Sequence, residues 1–104
     1  MKLATPSPAS VTRARHLRLR ARQAAEALRC TWPRSRVRLF GSVARGACHA
    51  HSDLDLVITG LPPAETDRAW AIAESAVDVP FDLLRYEDCP PHLREAIDTE
   101  AVEP

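Results

Sequence analysis

Paired cysteines, aromatic side chains and long apolar runs are all scarce in this sequence, and each scarcity removes a class of explanation. The cysteines are Cys30, Cys48 and Cys89, odd in number, far apart and without a C-x-x-C pair. Neither a disulfide framework nor a zinc site is implied, and the three read as buried or incidental thiols. No apolar run approaches the roughly 20 residues that span a bilayer, so no membrane anchor is expected. Met1 to Ser10 has no apolar signal-like segment and reads as a polar, Pro-containing tail, flexible over residues 1–9, which gives a cytoplasmic expectation. With 104 residues, 45% hydrophobic and only 5% aromatic, the chain is expected to hold one small soluble domain over residues 10–104 with a single core.

What is abundant is charge, and it is unevenly placed. The net charge is zero, yet residues 1–45 hold eleven Lys and Arg against Glu26 alone, while residues 46–104 hold three Arg against thirteen acids. A basic half of this kind needs either a solvated helix face or a partner, whether nucleic acid, nucleotide phosphate or an acidic protein surface.

Apolar spacing sets out the elements. Leu17, Ala21, Ala24, Ala25 and Leu28 recur with the period of an amphipathic helix from about Ser10 to Arg29. Pro33 breaks it, and Val37 to Phe40 reads as a strand that ends at the Gly41-Ser42 turn. Asp53 to Thr59 alternates Asp-Leu-Asp-Leu before Val57 and Ile58, a strand with one face packed. Gly60-Leu61-Pro62-Pro63 ends it. Trp70, Ala73 and Val77 mark a helix over Ala64–Val77, with Glu65 and Asp67 at its positive end. Val79 to Leu84 is a third strand in which Pro80 must lie near the start or on an edge. Pro91 opens a closing helix through Ile97. The expected fold is α/β (α+β), a small mixed sheet covered by helices.

Three features carry the chemistry together: Gly41-Ser42 after a strand, the Asp53-x-Asp55 pair, and Asp82 in the next strand. Residues two apart on a strand share a face, with Cα atoms about 6.5 Å apart, so Asp53 and Asp55 converge while Leu54 and Leu56 face the core. Like charges so close repel unless a cation lies between them. Oxygen-only ligands favour Mg²⁺ or Mn²⁺, and Mg²⁺ commonly bridges one or two carboxylates to substrate phosphates. Gly41 permits a tight turn and close phosphate approach, Ser42 offers a hydroxyl and an amide, and the Arg45 guanidinium can neutralise phosphate charge. Asp82, between Phe81 and Leu83, is an acid in an apolar setting, a third metal ligand or a general base. The plainer alternatives are strand-end acids capping amides for Asp53 and Asp55, a strand face shared with Asp78 for Asp82, and a salt bridge for Arg45. Trp32 and Trp70 read as core or surface-covering aromatics.

The run Leu39-Phe40-Gly41-Ser42-Val43-Ala44-Arg45-Gly46 followed by Ser52-Asp53-Leu54-Asp55-Leu56 closely resembles the minimal nucleotidyltransferases of the DNA polymerase β superfamily, over about Arg36 to Ile97. The resemblance implies that Gly41 and Ser42 hold a triphosphate, that Asp53 and Asp55 bind metal, and that Asp82 completes a carboxylate triad. It also implies two Mg²⁺ ions, with ATP as substrate, clamping an in-line attack on the α-phosphate. His49 and His51, in the loop between the motifs, are not required by the family pattern and read as a solvated loop or a nucleotide contact.

A domain of this size has no room for the extra lobes that grip template, tRNA or drug in larger relatives. It resembles the antitoxin of HEPN/MNT toxin–antitoxin pairs, in which the small transferase attaches AMP from ATP to a tyrosine of its HEPN toxin. The implied partner is a HEPN-domain protein, docked by the basic first helix or the C-terminal segment, with no membrane and no direct nucleic-acid binding. The alternatives are an antitoxin that neutralises its toxin by binding alone, and a transferase acting on a small molecule or an RNA end.

Overall fold

The apolar period of the N-terminal half does form a helix. In the computed structural model, which describes residues 8–41 and 54–104, α1 runs Pro8–Thr31. It begins two residues before the expected start, at Pro8. Proline suits a first turn because its missing N–H would have had no helical partner there. The buried stripe of α1 is Ala14, Leu17, Ala21, Ala24, Ala25 and Leu28. The Trp32 N–H still donates to the Leu28 carbonyl at 2.9 Å, and Pro33 ends the repeat.

Three strands follow: β1 Arg36–Phe40, β2 Leu54–Thr59 and β3 Phe81–Arg85. They form a mixed sheet of order β1-β2-β3, with β2 antiparallel to β1 and parallel to β3. A parallel pair needs a crossover, and α2, Thr66–Ala76, supplies it after a 3-10 turn over Pro63–Glu65. The expected helix over Ala64–Val77 is thus trimmed at both ends, its first residues wound as 3-10. The expected strand start at Val79 also moves. Pro80 has no N–H for the ladder, so β3 starts at Phe81, two residues after the expected start, while the Pro80 carbonyl accepts from Leu54 N–H at 3.2 Å.

The central strand is covered on both faces and reads as a nearly continuous apolar run for that reason. Leu54, Leu56 and Ile58 are fully buried on one side with Val37, Leu39 and Leu83, against α1 and against Ala69 and Ala73 of α2. Each such side chain stabilises the fold by roughly 1.5–3 kcal/mol relative to exposure. Val57 points the other way and packs with Phe40, Leu84, Cys89, Leu93 and Ile97. The last three come from the closing segment, in which α3 runs Pro91–Glu100, three residues beyond the expected end. Beyond α3, Val102 exchanges two backbone hydrogen bonds with Leu39, at 2.7 and 2.9 Å, and covers the outer edge of β1. No helix among the described residues is long and apolar enough to cross a membrane. Cys30 is exposed and Cys89 buried, both free.

Candidate active site

Strand alternation and register decide which side chains meet. In the antiparallel pair Phe40 is opposite Asp55, and in the parallel pair Asp55 is opposite Asp82. The three form one row across the sheet, on the face that also carries Val57 and Leu84 and opposite the face of Leu54, Leu56 and Leu83. Adjacent strands stand about 4.8 Å apart, so the two carboxylates leave neighbouring strands at the same level. Like charges directly across a pair are unfavourable, and a cation between them relieves that cost.

Asp55 is half-buried on the central strand, whereas Asp82 is exposed on an edge strand. Asp82 Oδ1 accepts the Leu83 N–H at 3.0 Å. The apolar setting expected for Asp82 is not found, because Phe81 and Leu83 project to the opposite face and the carboxylate itself stands in the open. Asp78 does not share its face either. It lies before β3 and faces Arg20 of α1 at 3.3 Å, which removes the plainer reading based on a shared strand face.

Gly41 ends β1 with φ of +85°, a conformation that favours glycine. Space demands glycine as well: a Cβ at this position would stand 2.6 Å from Asp55 Oδ2 and 3.5 Å from its Cγ. The bare Gly41 backbone and the Asp55 carboxylate therefore occupy one corner. Asp53, Ser42, Arg45, His49 and His51 lie outside the described residues. Among the described residues no three metal-ligating side chains cluster. Asp55 and Asp82 carry carboxylate oxygens, the ligand type that a hard divalent ion takes.

A second polar group on this face does a different job. Arg38 of β1 is 5% exposed. Its Nη1 donates to Asp98 Oδ1 of α3 at 3.0 Å, and its guanidinium lies 5.1 Å from the centroid of the Tyr86 ring. The Tyr86 hydroxyl donates to Asp98 Oδ2 at 2.7 Å. That hydrogen bond, then the one from Arg38, holds the Asp98 carboxyl below its usual range, and the same bond with Asp98 pushes the Tyr86 phenol up. The triad ties β1, the turn after β3 and α3 together, fixing α3 on this face. Nothing in the local sequence marks it, because Arg38 and Asp98 are sixty residues apart. Trp70 packs on Phe81 with ring centroids 4.7 Å apart, and Trp32 lies under Arg68 at 5.7 Å, both as covering aromatics.

Comparison with known proteins identifies the family and the fold. The nucleotidyltransferase domain family matches residues 21–101. A solved structure of a protein assigned as a minimal nucleotidyltransferase superposes with a TM-score of 0.69 at 34% identity, covering 88% of this chain and 95% of that one. No curated protein matches the chain. Domains of the matched family use a nucleoside triphosphate and a divalent metal, which is what a carboxylate pair beside a bare glycine can serve. The mixed three-stranded sheet with its helices is the polymerase β-like nucleotidyltransferase fold, and the chain belongs to the nucleotidyltransferase domain family.

Proposed function

We propose that this protein transfers AMP from ATP, with Mg²⁺, to a tyrosine hydroxyl of a cognate HEPN-domain toxin and so acts as its antitoxin. The observation that supports the transfer chemistry is the register of Asp55 with Asp82 on one face, with Gly41 packed against Asp55. Support for a protein acceptor is more general. It comes from the resemblance of the Gly41-Ser42 and Asp53-x-Asp55 motifs to the antitoxins of HEPN/MNT pairs, and from the likeness to a minimal nucleotidyltransferase.

In the reaction the acceptor oxygen bonds to the α-phosphorus as the bond to pyrophosphate breaks, and the acceptor proton leaves to a base. Asp55 and Asp82 would hold the divalent metal, together with Asp53 as the family resemblance implies. When bound, such a metal supplies charge neutralisation for the triphosphate and acidifies the attacking hydroxyl. Gly41 keeps the corner beside Asp55 free of a side chain, and Ser42 and Arg45 are the proposed phosphate contacts.

Intact-mass measurement of a co-encoded HEPN-domain protein, after incubation with this chain, ATP and Mg²⁺, tests the proposal. The expected result is a gain of one or more AMP groups that Asp55→Ala and Asp82→Ala abolish. An unmodified partner held in a tight complex would support neutralisation by binding instead. AMP transfer to RNA ends or a small molecule without any protein partner would replace the acceptor.

A further inference from the structure

The arginines of α1 do not all serve the fold. Arg20 faces Asp78, but Arg15, Arg18 and Arg22 are exposed and have no ion-pair partner among the described residues. Their spacing puts them on one flank of the helix. There they line a groove of about 360 Å³ with Leu19, Glu103 and Pro104. Leu19 is 50% exposed, and no other large hydrophobic side chain among the described residues is exposed. Glu103 already carries a 2.6 Å bridge to Arg36, so it does not neutralise the groove.

We propose that this groove docks an acidic segment of a partner protein, one that sets carboxylates against Arg15, Arg18 and Arg22 and a large apolar side chain against Leu19. Charge complementarity selects an acidic occupant, and the rest of the lining selects protein over nucleic acid. A phosphate backbone gains nothing from Leu19 or Pro104, and no aromatic side chain lines the groove for bases to stack on. An amphipathic acidic segment satisfies both halves of the lining. The surface lies on the α1 side of the sheet, opposite the face that carries Asp55 and Asp82, and the inference does not depend on which group is transferred.

The test uses the full chain and two fluorescent probes. One is a helical peptide of about four turns, with glutamates spaced as Arg15, Arg18 and Arg22 are and a leucine between them. The other is a single-stranded oligouridylate. The peptide should bind and shift backbone amide resonances along residues 15–22 and 103–104. Its affinity should fall about tenfold with Arg18→Glu, as for loss of a close charge pair, and several-fold when its leucine is replaced by serine. The last change alters only the probe and leaves the protein's folding untouched. Peptide binding indifferent to both changes, or oligouridylate binding more tightly at the same resonances, would overturn the proposal.

Discussion

The two faces of the sheet are built from alternate residues of the same three strands, yet they do opposite work. The α1/α2 face is dry and aliphatic, with Val37, Leu39, Leu54, Leu56, Ile58 and Leu83 sealed under helices. The other face divides along the strands. One end is closed by α3 over Val57 and Phe40 and locked by Arg38, Asp98 and Tyr86, and the other carries Asp55 and Asp82, the last of them in the open. Each strand is held rigid by one side chain and displays chemistry with the next. A site on strands anchored in this way keeps its geometry without support from a ligand.

Substitutions on the two faces should therefore separate activity from stability. The largest effect is expected from Asp55→Asn or Asp82→Asn, measured by nucleotidyl transfer under single-turnover conditions. Losing even a supporting contact to a metal ligand costs about ten- to a hundredfold, so losing a ligand should cost on the order of a thousandfold. Asp82→Asn, on an exposed edge position, should leave the urea midpoint nearly unchanged. One residue along from Asp55, Leu56→Ala should do the reverse, lowering stability by about 2–5 kcal/mol in urea denaturation while the folded fraction retains nucleotide binding. If Leu56→Ala proved harmless to stability, the division of labour between the faces would be wrong.

Gly41→Ala falls between these extremes. The positive φ alone costs about 1–3 kcal/mol for a residue with a Cβ. The close approach to Asp55 should also displace the carboxylate, so transfer activity should fall further than stability. Comparing the urea midpoint with the metal dependence of the rate checks this.

The smallest effect concerns the locked end. Asp98 titrates below the usual carboxylate range in the fold, so its stabilisation is complete above that range and is lost as pH falls through the lowered value. Tyr86 titrates above the usual phenol range, so its stabilisation is complete below that range and is lost as pH rises through the raised value. Tyr86→Phe should abolish the alkaline loss and move the acid loss upward, though not fully to the usual value, since Arg38 still donates to Asp98. Urea midpoints measured across pH would show both limbs.

Much of this was legible in the chain of residues because it is local. The period of Leu17 to Leu28 marked α1, and the Asp-Leu alternation put Asp55 opposite the core. Pro33 and Pro80 marked boundaries correctly even where the neighbouring strand start was one or two residues off. The family resemblance grouped Asp82 with Asp55, but the direct opposition of the two was beyond any local pattern, because it depends on the register that the α2 crossover imposes. Composition around Asp82 misled for the same kind of reason: its neighbours in sequence are apolar, but they face away. Arg38 with Asp98, and Val102 with Leu39, are contacts across most of the chain, and no short-range pattern announces them. Asp78 lies off the strand face because Pro80 delays the start of β3 to Phe81.

The central claim is that Asp55 and Asp82 together form a divalent-metal site for a nucleoside triphosphate at the open end of the sheet. Titration of Mn²⁺ with ATP, followed by electron paramagnetic resonance, tests it without needing the acceptor. The account predicts protein-bound Mn²⁺ with the wild-type chain and loss of the bound signal with either Asp55→Asn or Asp82→Asn, the fold being intact by circular dichroism. Undiminished Mn²⁺ and ATP binding by the doubly substituted chain would contradict it.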